Sequence, residues 1–391
     1  MSLTQRDTSE RFVWTGSGIF IIALHAITLF GLPWYFVMGH PSWAMAVAAG
    51  TVLFLSHIGI TAGYHRLYAH RAYSLSPVVE AVFLFLGTMA LQGSVARWSF
   101  DHRAHHRYVD REGDPYNVRR GFWHAHVLWI FRRQRPIDDS IRDLLAQPMV
   151  RFQSEHFVPL ALASNLLVFL LIGAVLKDLL GAAVLVLGVR LVLSYHITWC
   201  INSLAHYWGS RSYSKEQTAR DNYLVAVITA GEGYHNYHHT FPADYRNGIR
   251  WFHVDPGKWI IWLLSKAGLA WGLKRQPTTK IQRTLIRLDT QLLLERIRQA
   301  ATDGAADLKA KLEARFGALA TLEASVLDLS QSLKARIEEI ARLQLQQGAL
   351  RRRRSSRLRS TVLRRRLQAL RQAHRVEWAE WCQLCGVILQ T

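Results

Sequence analysis

Two long apolar runs open the chain. Gly16 to Met38 and residues 43–63 carry no charged side chain, and each is long enough to cross a hydrocarbon core of about 30 Å as a helix. Only Gly39-His-Pro-Ser42 joins them, so they read as a hairpin. A second pair follows at residues 158–176 and 179–201, joined at Lys177-Asp178. Arg190 interrupts the fourth run; one intramembrane charge costs about 3 kcal/mol on insertion scales, which the surrounding Val and Leu offset. Four spans return both termini to one side. Residues 78–96 are also apolar, but Glu80 and Gln92 break the run. A fifth span would put its flanking polar segments on opposite faces, so this stretch reads as an interfacial or protein-covered helix.

Beyond residue 275 the pattern changes. From Leu308 through Leu312, Phe316, Leu319, Leu322, Val326, Leu329, Leu333, Ile337 and Ile340 to Leu343, ten apolar steps span 35 residues. That is the spacing of a coiled coil or paired helix, weakened locally by Gly304, Gly317 and Gly348. Two readings stay open: self-association or docking on the first part, and packing on the segment's own neighbours. All ten prolines lie at or before Pro277 and twelve of the fourteen tryptophans at or before Trp271. The chain therefore divides into an N-terminal segment 1–15, a four-span domain 16–275 and a basic helical extension 276–391.

Charge follows the same division. Of the formal net +20, residues 274–391 hold 24 Lys and Arg against 11 Asp and Glu, a net +13, which leaves +7 for residues 1–273. The mean hydropathy of +0.03 thus averages two unlike parts. Half the residues are hydrophobic and only three are Cys, which excludes a disordered chain or a disulfide-stapled one. Between Arg97 and Arg151 stand eleven arginines, whereas the two hairpin loops offer only Lys177, so the large polar segments and both termini are expected in the cytoplasm. The first seven residues lack the pattern of a cleaved signal, and the first span is expected to be retained. Residues 351–376 hold eleven arginines and no acid, a run suited to anionic headgroups at about 1 kcal/mol per basic residue or to nucleic acid phosphates. Beside a bilayer, lipid rather than nucleic acid is the expected partner. Cys382-Gln-Leu-Cys385 is a lone CxxC, open to zinc or redox use or to packing beside Trp378 and Trp381.

Histidines carry the chemistry. Nine of the eighteen fall in four clusters: His65-x4-His70, His102-x2-His105-His106, His206 after Asn202, and His235-x2-His238-His239. Each HxxHH cluster is expected to present three imidazoles toward one centre from one side of a helix. Neutral imidazole suits iron, copper, nickel or zinc, and no cysteine stands near in a ligand pattern. Eight or nine imidazoles exceed one metal's needs, so two metals with about five ligands each are expected. The other nine, His25, His40, His57, His124, His126, His156, His196, His253 and His374, stand alone and read as packed or hydrogen-bonded residues.

The order of these clusters between two transmembrane hairpins resembles the membrane fatty-acyl desaturases, in particular the acyl-CoA Δ9 (stearoyl-CoA-type) branch. Trp98-x3-His102-Arg-Ala-His-His, Asp114-Pro-Tyr-Asn-x-Arg-Arg-Gly-Phe122, Asn202-Ser-x-Ala-His206 and Gly231-Glu-Gly-Tyr-His-Asn-Tyr-His-His239 carry the likeness over residues 15–275. The resemblance implies an all-α integral membrane protein with a cytoplasmic histidine-box helical cap. It implies two non-haem iron ions with O2 as co-substrate: His65, His70, His106 and His239, with Asn202 acting through a water, on one iron, and His102, His105, His206, His235 and His238 on the other. Trp98 and Trp199 match positions that line the acyl tunnel. Arg119, Arg120, Arg132 and Arg133 lie where the family binds CoA phosphates, although Gln134 occupies a position that is basic in the family. Asp101, Glu232, Asn236 and Asp110 are candidates to orient the imidazoles through their second nitrogen.

The implied reaction inserts a cis double bond, Δ9 by prior, into an acyl chain carried by CoA or by a lipid. The sequence has no His-Pro-Gly-Gly of a fused cytochrome b5, no four-cysteine cluster and no dinucleotide fingerprint, so a separate ferredoxin, rubredoxin or cytochrome b5-type donor is expected. Two rivals remain. One is a histidine-box hydroxylase of alkanes, sterols or carotenoids; the other is a nonenzymatic membrane anchor that recruits lipid or nucleic acid through its Arg-rich tail. A bacterial inner membrane and the endoplasmic reticulum are both compatible with the sequence.

Overall fold

A computed structural model describes residues 12–39, 41–302, 304–352 and 357–390. Most of the segment 1–15, His40 and Arg353-Arg354 of the arginine run lie outside the described residues. The chain forms two compact units, Met1–Arg275 and Gln276–Thr391.

Among the described residues of the first unit, four helices are long and apolar enough to cross a membrane: α1 (Gly16–Met38), α2 (Trp43–Ala69), α5 (Phe157–Val175) and α6 (Leu179–Tyr207). Between the two pairs lie α3 (Pro77–Met89) and α4 (Val95–Tyr108). Ser42 and Ser94 cap α2 and α4, accepting from Met45 N and Arg97 N, which satisfies amides that the first turn leaves open. Two spans run further than the apolar pattern indicated. The end of α2, Gly59–Ala69, is wound as a π-helix and carries the helix through His65. Likewise α6 continues through Asn202 and His206, so these clusters ride on the spanning helices themselves.

The residues of α3 divide between two surroundings. Phe83 and Leu84 pack into the core with Ile60, Tyr64 and Phe100 and Met89 is buried, while Val78, Val82 and Phe85 stay exposed. The helix is therefore covered by protein along one side only. Its closeness to α2 depends on glycine: a Cβ at Gly59 would lie 2.3 Å from Gly87 N, so neither helix could approach with a side chain there. Two short strands, β1 (Ser74–Leu75) and β2 (Ala270–Trp271), pair antiparallel and close the unit's core. Two further helices, α7 (His235–Thr240) and α8 (Pro256–Lys266), complete the parts needed to describe the site.

The second unit is a helical bundle of α9 (Thr278–Ala300), α10 (Ala306–Phe316), α11 (Leu319–Arg352) and α12 (Arg357–Gln390). The 3.5-spaced seam is broken at Gly317, whose φ of +81° ends α10, a backbone region open to glycine. The seam's Leu312, Leu322, Val326, Leu333 and Ile337 pack on Ile286, Leu293 and Ile297 of α9 and on Trp381 and Ile388 of α12. Packing on the segment's own neighbours is thus what the seam does within this chain. Burial pushes the Cys385 thiol up to about 12, which disfavours the thiolate that a metal or redox site needs. It packs in the same core as Trp378 and Trp381.

Candidate metal centre

Among the described residues nine imidazoles, from α2 and the His70 that follows it and from α4, α6 and α7, meet in two groups. His65, His70, His102, His106 and His238 form one; His105, His206, His235 and His239 form the other, with ligand atoms in each group within 4.8 Å of one another. Winding of the i→i+5 type sets the first pair, since His70 N donates to His65 O at 3.0 Å. Nε2 of His238 lies 3.0 Å from Nε2 of both His65 and His106. His70 and His102 approach to 2.8 Å, and His235 lies 3.1 Å from both His206 and His239. Rings of His106 and His239 stack across the two groups at 4.2 Å.

This partition corrects the expected one. His102 and His238 join His65, His70 and His106, whereas His239 joins His105, His206 and His235. No HxxHH cluster serves a single centre. Helical geometry explains why: residues i and i+4 lie about 40° apart around the axis, whereas i+3 and i+4 lie about 100° apart. His102 and His106 therefore stay together, as do His235 and His239, and the i+3 residues His105 and His238 reach across to the opposite group.

The outer nitrogens fix the tautomers. Nδ1 of His65 lies 3.1 Å from Glu232 and Nδ1 of His105 lies 2.8 Å from Asp114. Nδ1 of His206 donates to Thr218 at 2.7 Å, because the Thr218 hydroxyl itself donates to Asp110 at 2.6 Å. With their hydrogens held outward, these imidazoles aim lone pairs inward, and Nε2 of His105 is buried without a partner. Burial, reinforced by neighbouring imidazoles, holds His102, His106, His238 and His239 well below the ordinary histidine range and His235 at about 3. Converging neutral lone pairs in a buried site repel one another unless a cation lies among them, so the donor set fits two metal ions.

Three of the expected orienting residues behave differently from the expectation. Glu232 touches His65 as anticipated, and it also accepts from Arg66 at 3.0 Å, from Asn247 at 2.7 Å and from Thr61. Asp101 instead binds Arg97 one turn back on α4, at 2.8 Å. Asn236 ties down the 213–219 loop through Tyr213 N, Ser214 N and Ala219 O. Asp110 is buried and reaches His206 only through Thr218. Asp114 was visible only as part of a motif, and Thr218 carries no sequence signal. Replacing Asp114 by alanine is expected to weaken metal affinity about 10- to 100-fold, as measured by metal titration of the purified protein.

A cavity of about 140 Å³ reaches this centre, lined by His65, His102, His235, Asn202, Trp98 and Trp199, with Ile21, Ile60 and Leu91 among its apolar residues. Trp98 stacks on His102 at 4.9 Å. Arg97, Asp101, Trp129 and Gln134 are shared with an outer cavity lined by Arg120, Arg132, Arg133 and Arg135. Of the four expected arginines, Arg119 is exposed and is not among those lining it; Arg97 and Arg135 are the additions. Three solitary histidines surround Trp199: His25 bonds His196 at 3.1 Å, His196 bonds His126 at 3.0 Å, and His126 bonds Ser203 at 2.9 Å.

Residues 41–274 match the family model described as fatty acid desaturase. A probable acyl-CoA desaturase of Schizosaccharomyces pombe is 41% identical over 280 residues, covering 69% of this chain and 58% of the relative. Acyl-CoA desaturase 1 of Saccharomyces cerevisiae is 38% identical over 274 residues, 68% of this chain and 54% of the relative. The chain thus spans little more than half the length of these two yeast proteins. An sn-2 palmitoyl-lipid 9-desaturase of Nostoc is 35% identical over 279 residues, 68% of this chain and 92% of the relative. With four membrane-length helices, nine converging imidazoles and a family match over more than half its length, this chain belongs to the fatty acid desaturase family.

Proposed function

We propose that the protein is a diiron desaturase that inserts a cis double bond, at Δ9, into a saturated acyl chain carried by CoA. The observation that carries this reading is the opening of one apolar cavity directly onto both imidazole groups. His65, His70, His102, His106 and His238 hold one iron. His105, His206, His235 and His239 hold the other, with Asn202, one turn before His206, contributing through a water. When bound, such an iron pair supplies the O2-derived oxidising power that breaks an unactivated methylene C–H bond, which no side-chain acid or base achieves at neutral pH.

The remaining work falls to the protein's own residues. Ile21, Ile60 and Leu91 exclude water from the cavity, and Trp98 and Trp199 fix the path of the acyl chain, presenting two adjacent methylenes to the centre. Arg97, Arg120, Arg132, Arg133 and Arg135 suit the CoA phosphates at the outer cavity. A separate donor of ferredoxin, rubredoxin or cytochrome b5 type supplies the electrons. Eleven arginines between Arg97 and Arg151 support a cytoplasmic site and cytoplasmic termini. The extension 276–391 is an accessory helical unit whose arginines meet anionic lipid.

Expression in a desaturase-deficient host, with fatty acids profiled by mass spectrometry, tests the reading. A new monounsaturated acid is expected. Hydroxylated products with no new double bond would make the protein a hydroxylase instead. Comparison of acyl-CoA and acyl-lipid substrates with purified protein then decides the carrier.

A further inference from the structure

Arg190 is the one charge in the fourth apolar run, and its side chain is 1% exposed. Its partners are neutral throughout. Nε donates to Val186 O at 2.7 Å, Nη1 to Met89 O at 2.9 Å, and Nη2 to the Asn165 side chain. A buried intramembrane charge costs enough to demand a purpose, and the partners indicate one. Met89 closes α3, where the last carbonyls have no intrahelical donor. Arg190 from α6 and Asn165 from α5, whose amide reaches Met89 O at 3.3 Å, both converge there. The cation also sits at the negative end of the helix dipole.

The turn that follows is held by the same face of α6. Leu91 has a φ of +56° and Gly93 a φ of +93°; the left-handed region disfavours leucine and persists only where the surroundings enforce it. Tyr195 donates to Leu91 O at 2.9 Å, and Thr198 accepts from the Gln92 side chain at 2.8 Å. Arg190, Ser194, Tyr195 and Thr198 follow helical spacing, so a single stripe of α6 grips residues 89–92. Leu91, Gln92 and Gly93 form part of the wall of the cavity that reaches the imidazoles.

We infer that Arg190, with Asn165 and Tyr195, is a positioning clamp that sets the Leu91–Gln92–Gly93 wall and thereby which methylenes of the acyl chain face the metal centre. The inference rests on the desaturase reading and deepens it by assigning residues to the control of double-bond position. Neither Arg190 nor Asn165 lines the cavity, so they act through the turn; Tyr195 lines it as well as holding Leu91 O, which is why exchange at 89–93 is read beside the isomer ratio. A misplacement of about 1 Å costs about a hundredfold in rate, so a relaxed wall lowers turnover and admits neighbouring registers.

The test compares full-length wild type with Tyr195→Phe, Arg190→Gln and Arg190→Lys, purified in nanodiscs. Double-bond position, metal content and amide exchange at residues 89–93 are measured together. Tyr195→Phe and Arg190→Gln are expected to keep two metal ions per chain, raise the share of displaced positional isomers at least fivefold, lower kcat about tenfold or more, and speed exchange at 89–93. Arg190→Lys, which keeps the charge and one donor direction, is expected to recover part of each effect. Should Arg190→Gln fail to accumulate, Tyr195→Phe, which retains the ring and loses only the hydroxyl, decides. Metal-loaded variants that give the wild-type isomer ratio, or exchange at 89–93 unchanged from wild type, would overturn the clamp. A wild type that makes no unsaturated product overturns the functional reading instead, and the exchange measurement still judges the clamp.

Discussion

Alanine at position 105 is expected to cut desaturation more than a hundredfold and to lower metal content from two ions per chain to one. His105 contributes to the smaller group, where only His206, His235 and His239 would remain. Its Nε2 is buried and has no partner among the described residues, whereas Nδ1 lies 2.8 Å from Asp114, so Asp114→Ala, which removes that contact and keeps the imidazole, separates the two contributions. The loss in excess of that variant's therefore reports on ligation. Outer residues that merely orient a ligand are worth about 10- to 100-fold in affinity or activity, and a ligand itself exceeds them. Metal content by elemental mass spectrometry and unsaturated product in the same preparation check the result. His156, which is exposed and touches Phe152, bonding its backbone at 3.0 Å and stacking on its ring, serves as the control; alanine there should leave both values unchanged. Full metal content in the His105 variant would sink the assignment.

Much of the fold could be read directly from the residues because lipid demands long unbroken apolar helices, and the run from Gly16 to Met38 is found as a helix with those bounds. The other spans drifted at their ends for a physical reason. A helix that leaves the apolar zone can continue on tertiary contacts, as α2 does through its π-wound end to Ala69. The nine clustered histidines were legible from spacing, but their partition was not. Proximity in sequence misled in the same way for the orienting residues. Asp101 and Asn236 adjoin His102 and His235 in sequence, yet neighbours on a helix point about 100° apart, so Asp101 faces Arg97 and Asn236 faces a loop. Asp114 and Thr218, which do reach imidazoles, come from segments related to their histidines only by the fold. The 3.5-spaced seam specified an apolar partner without specifying which helix supplies it, and α9 and α12 supply it within the chain.

Loss of the carboxylate at Glu232 is expected to be the most damaging single change to the first unit. Glu232 is 3% exposed, takes hydrogens from Arg66, Asn247 and Thr61, and lies 3.1 Å from His65 Nδ1. Burial alone would raise its pKa; the contact with His65, the Arg66 cation and the Thr61 hydroxyl outweigh burial and hold the carboxyl well below its usual range. Alanine would remove all four contacts at once and leave Arg66, itself 1% exposed, with Asp255 at 2.9 Å as its remaining carboxylate. Breaking a buried ion pair from one side costs about 3–5 kcal/mol, which corresponds to a fall of roughly 10 °C in melting temperature for a unit of this size. Glutamine is no remedy, because its amide would present two hydrogens of its own to the three donors. Both variants should therefore melt early, which circular dichroism of the purified protein would record, and both should lose metal from the group that contains His65. Glu232→Asp keeps the charge but withdraws it by one methylene, so it should fall between wild type and Glu232→Gln. An alanine variant that melts with wild type would mean that Asp255 alone neutralises Arg66 and that His65 needs no acceptor to hold its ring.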